Sequence, residues 1–179
     1  MNHKDIFSIP LKGMNHGLHE YNFEVDSEFF QSIENSLISE GKFNIKLVND
    51  IREDMFVLDF DVKGTFKAPC DRCLVTIDVP CKNEYRIFLK FSDFGDELND
   101  DEDDDVIYVD EKENRFDLSN LFYQLIVLSM PLSNTYDCEN DKDPKCDFVL
   151  LEKLQNTESI DQDINPELNK LKDIFKNKK

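Results

Sequence analysis

The amino-acid sequence predicts an α+β fold, in which a largely antiparallel β-sheet of about six to seven strands packs against one or two helices. Apolar residues alternate with polar ones through several successive segments, which is typical of strands that bury one face. Other segments carry apolar residues at helical spacing. The alternating segments also lie too close together in the chain for the helical crossovers that parallel strands need.

The N-terminal quarter is predicted to form two strands and a helix. The strands cover Ile6–Leu11 and Leu18–Val25, and glycines flank their connection. Asp26-Ser27 then offers a helix N-cap, and Gly41 is well placed to end the helix. Between them, apolar residues recur at helical spacing: Phe29, Phe30, Ile33 and Leu37.

The middle of the chain shows the clearest alternation and predicts four consecutive strands. Each strand is defined by apolar residues of one parity, so that one face is buried and the other solvated. These residues are Phe43, Ile45 and Leu47, then Phe56, Leu58, Phe60, Val62 and Phe66, then Val75, Ile77 and Val79, then Tyr85, Ile87, Leu89 and Phe91.

A short strand and a long helix are predicted next. The strand covers Val106–Val109, and Asp117 caps the helix, which Pro131 ends. A continuous apolar stripe marks its core-facing side: Leu118, Leu121, Phe122, Leu125 and Ile126. A cysteine-bearing loop and a short helical run from Phe148 to Leu154 follow.

The chain is predicted to divide into a domain over residues 1–155, a polar linker over 156–165 and a C-terminal helix over 166–179. Asn165-Pro166 places an N-cap residue before a proline at the first helical position. Four apolar residues then share one helix face: Leu168, Leu171, Ile174 and Phe175.

The charge of the chain is strongly negative and unevenly distributed. Its 39 Asp and Glu residues outnumber 21 Lys and Arg residues, which gives a formal net charge of −18. Such a charge repels a phosphate backbone and on average argues against nucleic-acid binding. The stretch from Lys63 to Lys90 is an exception, because it holds six basic and three acidic residues, a net charge of +3.

No targeting or membrane segment is predicted. The first ten residues lack the apolar region of a signal peptide, and no apolar run approaches the roughly 18 residues that span a bilayer. We therefore expect a cytoplasmic protein with no membrane partner. In that compartment cysteines stay reduced unless they bind metal or perform chemistry.

An acidic run extends from Asp93 to Asp105. Like charges at this density repel one another, so we interpret the run as a surface loop. A metal site or a mimic of nucleic-acid phosphate is the alternative. The run does not have the ligand spacing of a calcium-binding loop with a glycine at the required position.

Four cysteines could form a zinc site. Cys70 and Cys73 are separated by two residues, a spacing that recurs in tetrahedral zinc sites because a tight turn can direct both thiolates to one ion. Cys138 and Cys146 could complete a zinc-ribbon-like set, and Zn²⁺ would then join the sheet to the loop after the long helix. The alternative is a β-turn whose cysteines are relics of a metal-binding ancestor. Cys81 is a further thiol whose place at a strand start suggests packing.

The sequence predicts that the protein is not an enzyme and has no small-molecule substrate. His3, His16 and His19 all precede the main fold, so a catalytic triad has no candidate base, and neither a glycine-rich phosphate loop nor a paired-carboxylate motif is present. A redox role for the CxxC motif is the remaining enzymatic alternative. A thioredoxin-like motif opens a helix in a βαβ unit, whereas this one lies between predicted strands.

One predicted strand combines basic residues with an aromatic ring. Lys82, Arg86, Phe88 and Lys90 share the face opposite the apolar residues of the segment from Lys82 to Phe91. Cations can contact phosphate while a ring stacks on a base, so these residues, with Arg72 from the cysteine turn, are candidate RNA-binding residues. The alternative is a solvated face on which the C-terminal helix covers Phe88.

The order of these features resembles that of the YceD family over residues 1–155. The residues that carry it are the segment Phe66-Lys67-Ala68-Pro69-Cys70-Asp71-Arg72-Cys73-Leu74, the helix that opens at Asp117-Leu118-Ser119-Asn120-Leu121 and ends at Met130-Pro131-Leu132, and the downstream Cys146-Asp147. Its most specific parts are Cys-x-Arg-Cys-Leu and the helix ending in proline. The resemblance implies a role in the synthesis, processing or stability of large-subunit (23S) ribosomal RNA, without known catalytic activity. Many members carry a denser Cys and Gly pattern after the helix than this chain does.

Two functional hypotheses are compatible with this resemblance. The chain could bind large-subunit rRNA or a precursor particle through its basic strand. Alternatively, it could be an acidic adaptor that binds a basic ribosomal protein without direct RNA contact. The net charge of −18 favours the adaptor, because an acidic surface steers basic proteins toward it.

Overall fold

The structure, a computed structural model, describes residues 6–92, 105–137 and 146–157 of the chain. Two compact units are present. The first comprises Met1–Pro69 and Thr76–Asn134, and the second comprises Cys70–Val75 and Thr135–Lys179. The predicted acidic loop before Asp105, Cys138 and the C-terminal helix over 166–179 lie outside the described residues. The predicted domain boundaries stay predictions.

The described part of the first unit contains seven strands in two sheets. The strands are β1 (Ser8–Pro10), β2 (Gly17–Val25), β3 (Gly41–Ile51), β4 (Met55–Pro69), β5 (Thr76–Ser92), β6 (Val106–Asp110) and β7 (Arg115–Asp117). The larger sheet has the order β2-β3-β4-β5-β6, antiparallel except that β6 runs parallel to β5, and β1 pairs with β7. The predicted α+β fold with a largely antiparallel sheet is confirmed.

Three helices lie in the described segments: α1 (Ser27–Gln31), α2 (Ser119–Leu128) and α3 (Phe148–Thr157). The first is shorter than predicted. Asp26 caps it, and its carboxylate accepts hydrogen bonds from the N–H groups of Glu28 and Phe29. The prediction that this helix reaches Gly41 is wrong, because Asn35 adopts a left-handed conformation (φ 58°) and Gly41 begins β3.

The segment predicted as two strands, around Val75–Val79 and Tyr85–Phe91, is the single 17-residue strand β5. Pro80 lies within this strand. The N–H of Phe88 points away from β4, toward Asp105, and Pro80 has the same parity. Its missing N–H therefore falls on the side that does not pair with β4, where proline is tolerated.

Aromatic rings form the core of the first unit between the sheet and α2. The ring of Phe122 from α2 lies 4.9 Å from that of Phe23, 5.8 Å from that of Phe7 and 6.2 Å from that of Phe60. The whole predicted stripe of α2 is buried. The carboxylate of Asp117 accepts the N–H of Ser119 at the start of this helix. Among the described helices, none is long and apolar enough to cross a membrane.

Replacing Gly64 with alanine is expected to destabilise the first unit. A Cβ at this position of β4 would lie 2.4 Å from the carbonyl oxygen of Lys42 and 2.4 Å from the ring of Phe43. Overpacking of this kind costs about 1–3 kcal/mol, so Gly64→Ala should lower the free energy of unfolding in urea by about 2 kcal/mol or more. The exposed neighbour offers a control, because Lys63→Ala should change it by less than about 0.5 kcal/mol. Equal effects of the two substitutions would contradict the close packing at Gly64.

Candidate functional site

The side of the larger sheet that faces away from the aromatic core is called here the outer face. Successive residues of a strand point to opposite faces, so its members alternate with the buried residues of each strand. Its members on β2 to β5 include Leu18, Glu20, Asn22 and Glu24, then Lys42, Asn44, Lys46, Val48 and Asp50, then Val57, Asp59, Asp61, Lys63, Thr65 and Lys67, then Asp78, Pro80, Lys82, Glu84, Arg86, Phe88 and Lys90.

The basic residues predicted on β5 do share the outer face, but acidic residues lie beside them. Arg86 binds Asp59 of β4 through two hydrogen bonds, Nε to Oδ1 at 2.6 Å and Nη2 to Oδ2 at 2.9 Å. These bonds and the negative charge of Asp59 raise the pKa of Arg86. The guanidinium is therefore partly neutralised, with two of its donors engaged, before any RNA could approach.

Lys82 has a basic neighbour that is itself paired. It lies opposite Lys63 in the β4–β5 register, and Lys63 forms an ion pair with Asp61. Phe88 lies opposite Val57 and beside Val106 of β6. Arg72, the last predicted RNA-binding residue, belongs to the second unit.

A hollow of about 510 Å³ lies on the outer face. The charged side chains that line it come from three adjacent strands: Lys46, Asp59, Asp61, Glu84 and Arg86. Asp61 and Glu84 are directly opposite each other across β4 and β5, an arrangement of like charges that is destabilising. The Oδ1 atom of Asp61 is shielded from solvent and accepts no hydrogen bond from any described residue.

A row of residues that are apolar except for Asp50 crosses the sheet beside this hollow. In register, Leu18, Asp50, Val57, Phe88 and Val106 lie side by side on five strands. Val57 is 3% exposed, whereas Leu18 is 72% exposed. The N–H of Phe88 donates to the carbonyl of Asp105, the last residue of the acidic run, at 2.8 Å. The acidic run is therefore joined to the sheet at this row.

The CxxC segment forms a closed turn in the second unit. The N–H of Cys70 donates to the carbonyl of Val75, and the N–H of Leu74 donates to the carbonyl of Cys70, both at 2.8 Å. Leu74 is left-handed (φ 61°) and 70% exposed, while Cys70 and Cys73 are buried. The turn follows β4 and precedes β5 without opening a helix, unlike a thioredoxin-type motif.

The turn favours a thiolate at Cys70. Burial opposes ionisation of this thiol, but hydrogen bonds from the backbone N–H groups of Arg72 and Cys73 and from the Cys73 side chain favour the charged form, as does the positive charge of Arg72. The net effect lowers the pKa of Cys70. A deprotonated sulfur that accepts backbone hydrogen bonds is the form in which cysteine binds zinc.

The other cysteines differ in their surroundings. Cys81 is buried within the first unit, and burial raises the pKa of its thiol. Cys146 belongs to the same unit as the CxxC turn and is disulfide-bonded in this structure. Within residues 6–92, 105–137 and 146–157, no three Cys, His, Asp or Glu side chains are grouped so that they could hold a metal ion.

Asp59 and Asp61 are the site residues that the sequence analysis missed. Both occupy outer positions of β4, in the same parity as Lys63. A signal for them existed, because pairing β4 with β5 as a hairpin across the CxxC turn places Asp59 opposite Arg86 and Asp61 opposite Glu84. The sequence of β5 by itself shows its basic residues but not the carboxylate that lies opposite Arg86.

One family model matches a part of the chain that includes the cysteine turn and most of the β4–β5 hairpin. The family model described as "Large ribosomal RNA subunit accumulation protein YceD" matches residues 58–175, more than half of the chain. The chain belongs to the YceD family. The resemblance to YceD noted from the sequence is thereby confirmed, and the description ties the family to accumulation of large-subunit ribosomal RNA. No curated protein and no solved structure matches the chain.

Cys70 is expected to ionise at a lower pH than Cys81. Hydrogen bonds lower the pKa of the first thiol and burial raises that of the second, so the thiolate fraction of Cys70 should be the larger one as pH rises. The measurement is a pH titration of the cysteine ¹³Cβ chemical shifts in the reduced, metal-free full chain, with Cys81→Ser to assign the signals. Ionisation of Cys70 at or above the pH of Cys81 would contradict the stabilising role of the turn.

Proposed function

We propose that this YceD-family chain is a non-catalytic ribosome-biogenesis factor that supports the synthesis, processing or stability of large-subunit (23S) ribosomal RNA. The family match over residues 58–175 carries the proposal. Its description names accumulation of an RNA rather than a chemical reaction. Such a factor acts in the cytoplasm, where the large-subunit precursor assembles.

The described histidine contacts support a non-catalytic role. His19 interacts through Nε2 with the backbone carbonyl of Asn15 at 2.9 Å, not with a nucleophilic side chain. A general base must lie within hydrogen-bond reach of the group that it activates. The CxxC turn supports binding rather than redox chemistry, because it joins two strands and opens no helix, unlike a thioredoxin-type motif.

Loss of the protein should reduce mature large-subunit rRNA. In cells from which the gene has been deleted, we expect the ratio of 23S to 16S rRNA to fall and precursor particles to accumulate, and the full-length chain should restore both. The measurement is quantification of total rRNA together with a sucrose gradient of the lysate. An unchanged ratio and an unchanged particle profile would overturn the proposed function.

A second candidate is the acidic adaptor that binds a basic ribosomal protein without touching RNA. The ion pair of Asp59 with Arg86 favours it, because this pair compensates one of the three basic side chains on the outer face of β5. The same gradients separate the two routes. Co-migration of the chain with precursors that resists nuclease but is lost at high salt supports the adaptor, whereas release by nuclease supports RNA contact.

We further propose that Cys70 and Cys73 bind Zn²⁺ together with Cys138 and Cys146. The buried pair in a closed turn and the lowered pKa of Cys70 support the first two ligands. The CxxC turn and the segment from Thr135 onward also belong to one compact unit. Binding through Cys146 requires its disulfide to be reduced, as the cytoplasm would keep it.

Protein purified under reducing conditions should contain close to one zinc per chain. Cys70→Ser or Cys73→Ser should remove most of it, because a tetrahedral site does not tolerate the loss of a thiolate, whereas Cys81→Ser should leave it unchanged. Metal content is measured by mass spectrometry of the folded protein. Zinc-free wild-type protein, or equal loss in the Cys81→Ser variant, would contradict the proposed ligands.

A further inference from the structure

We propose that the apolar face of α3 is the docking surface for the C-terminal segment of the same chain, residues 166–179, and that the two form an intramolecular pair of helices. This inference goes beyond the proposed function, because neither the rRNA role nor the proposed zinc ligands involve that face. Contact with the segment would remove from water an apolar surface that the described residues leave uncovered.

The described part of the second unit lacks an apolar core. Its side chains are described at residues 70–75, 135–137 and 146–154. Among these only three cysteines are buried, Cys70, Cys73 and Cys146. Every Leu, Val and Phe among them is half-buried or exposed: Leu74, Val75, Phe148, Val149, Leu150, Leu151 and Leu154. Side chains of these types are among those most often buried, so the surface calls for a further segment to cover it.

Most of these apolar residues lie on one face of α3. Asp147 starts the helix, because its carboxylate accepts the N–H of Leu150 at 3.0 Å and its carbonyl accepts the N–H of Leu151 at 3.1 Å. At 3.6 residues per turn, an arc of about 160° holds Leu150, Leu154, Leu151 and Phe148 in that angular order. Leu154 lies inside this arc and is 51% exposed, and Phe148 at its edge is 55% exposed. The middle of the apolar face is therefore open.

The C-terminal segment carries an apolar stripe of matching width. Its four apolar residues lie within an arc of about 120° if the segment is helical, as the sequence predicts: Leu168, Leu171, Ile174 and Phe175. A helix of fourteen residues is about 21 Å long, whereas the ten residues of α3 extend over about 15 Å. The stripe is therefore long enough to cover the whole face of α3.

The connection between the two segments is long enough for an antiparallel pair. Eight residues, 158–165, separate the end of α3 from Pro166, and they can extend over as much as about 26 Å. The axes of packed helices lie only roughly 8–10 Å apart. Both segments also belong to the same compact unit, so this pairing needs no partner from outside the unit.

The charges favour this segment over a second copy of the chain. Residues 146–165 hold five acidic residues and one basic residue, a net charge of −4, whereas residues 166–179 hold five lysines and two acidic residues, a net charge of +3. Opposite charges attract the segment toward α3. A second whole chain carries −18 and is repelled.

Paired substitutions in the full-length chain test this docking. Leu171→Gln combined with Ile174→Gln interrupts the stripe, and Asn169→Gln combined with Asn177→Gln changes the opposite, polar side as a control. Glutamine and leucine have similar helix propensities, so the first pair does not by itself unfold the segment. Leu154→Gln changes the face of α3, and Leu132→Gln changes an exposed leucine of the first unit as its control.

The measurement is amide hydrogen exchange of the reduced, zinc-supplemented protein, followed by mass spectrometry. We expect the stripe variant to accelerate exchange in α3 about tenfold, and Leu154→Gln to accelerate exchange in residues 168–176 by a similar factor, because each helix protects the other. Both controls should stay within about twofold of the wild type. Unchanged exchange in the paired β4 and β5 strands shows that each variant is folded.

Three outcomes would overturn the inference. The first is exchange in α3 that does not respond to the stripe variant. The second is faster exchange around Phe88 of β5 instead, which would place the segment on the outer face of the sheet. The third is a response that depends on protein concentration together with a dimer in sedimentation, which would assign the face to the segment of a second copy.

Discussion

All fifteen residues of β4 pair with β5, and the two strands are joined through the CxxC turn. This uninterrupted register places Asp59 opposite Arg86 and Asp61 opposite Glu84 while Phe60 stays in the aromatic core. A slip of one residue would move every one of these side chains to the other face. The exposed ion pairs contribute little to stability, so the buried face of the hairpin specifies the arrangement of charges on its outer face.

Pairing within the sheet changes the charge that the stretch between Lys63 and Lys90 presents on the outer face. As a linear segment it has the opposite charge from the rest of the chain, which suggests a site for phosphate. In the folded sheet, neighbouring strands supply carboxylates to Arg86 and Lys46, and Asp61 of the same strand pairs with Lys63. Part of the positive charge is therefore compensated within the sheet, whereas Lys82 and Lys90 form no ion pair with any described residue.

The features that the sequence predicted well are those set by local patterns. Alternation identified the core face of the sheet, helical spacing identified the buried stripe of α2, and the CxxC motif fell between strands as expected. The failures have non-local causes. The helix α1 ends at Gln31 although apolar residues at helical spacing continue to Leu37, and the continuity of β5 through Pro80 depends on which edge its N–H would face. The pairing of Arg86 with Asp59 depends on a register that joins residues 27 positions apart.

The parallel pairing of β6 with β5 constrains the length of the connection that contains the acidic run. The chain leaves β5 at Ser92, yet β6 starts at Val106 opposite Phe88, so the connection has to return about 13 Å along the sheet before β6 can begin. This distance sets a minimum length for the connection, whatever its amino-acid composition. A connection too short to span this distance would prevent β6 from pairing with β5 in this register.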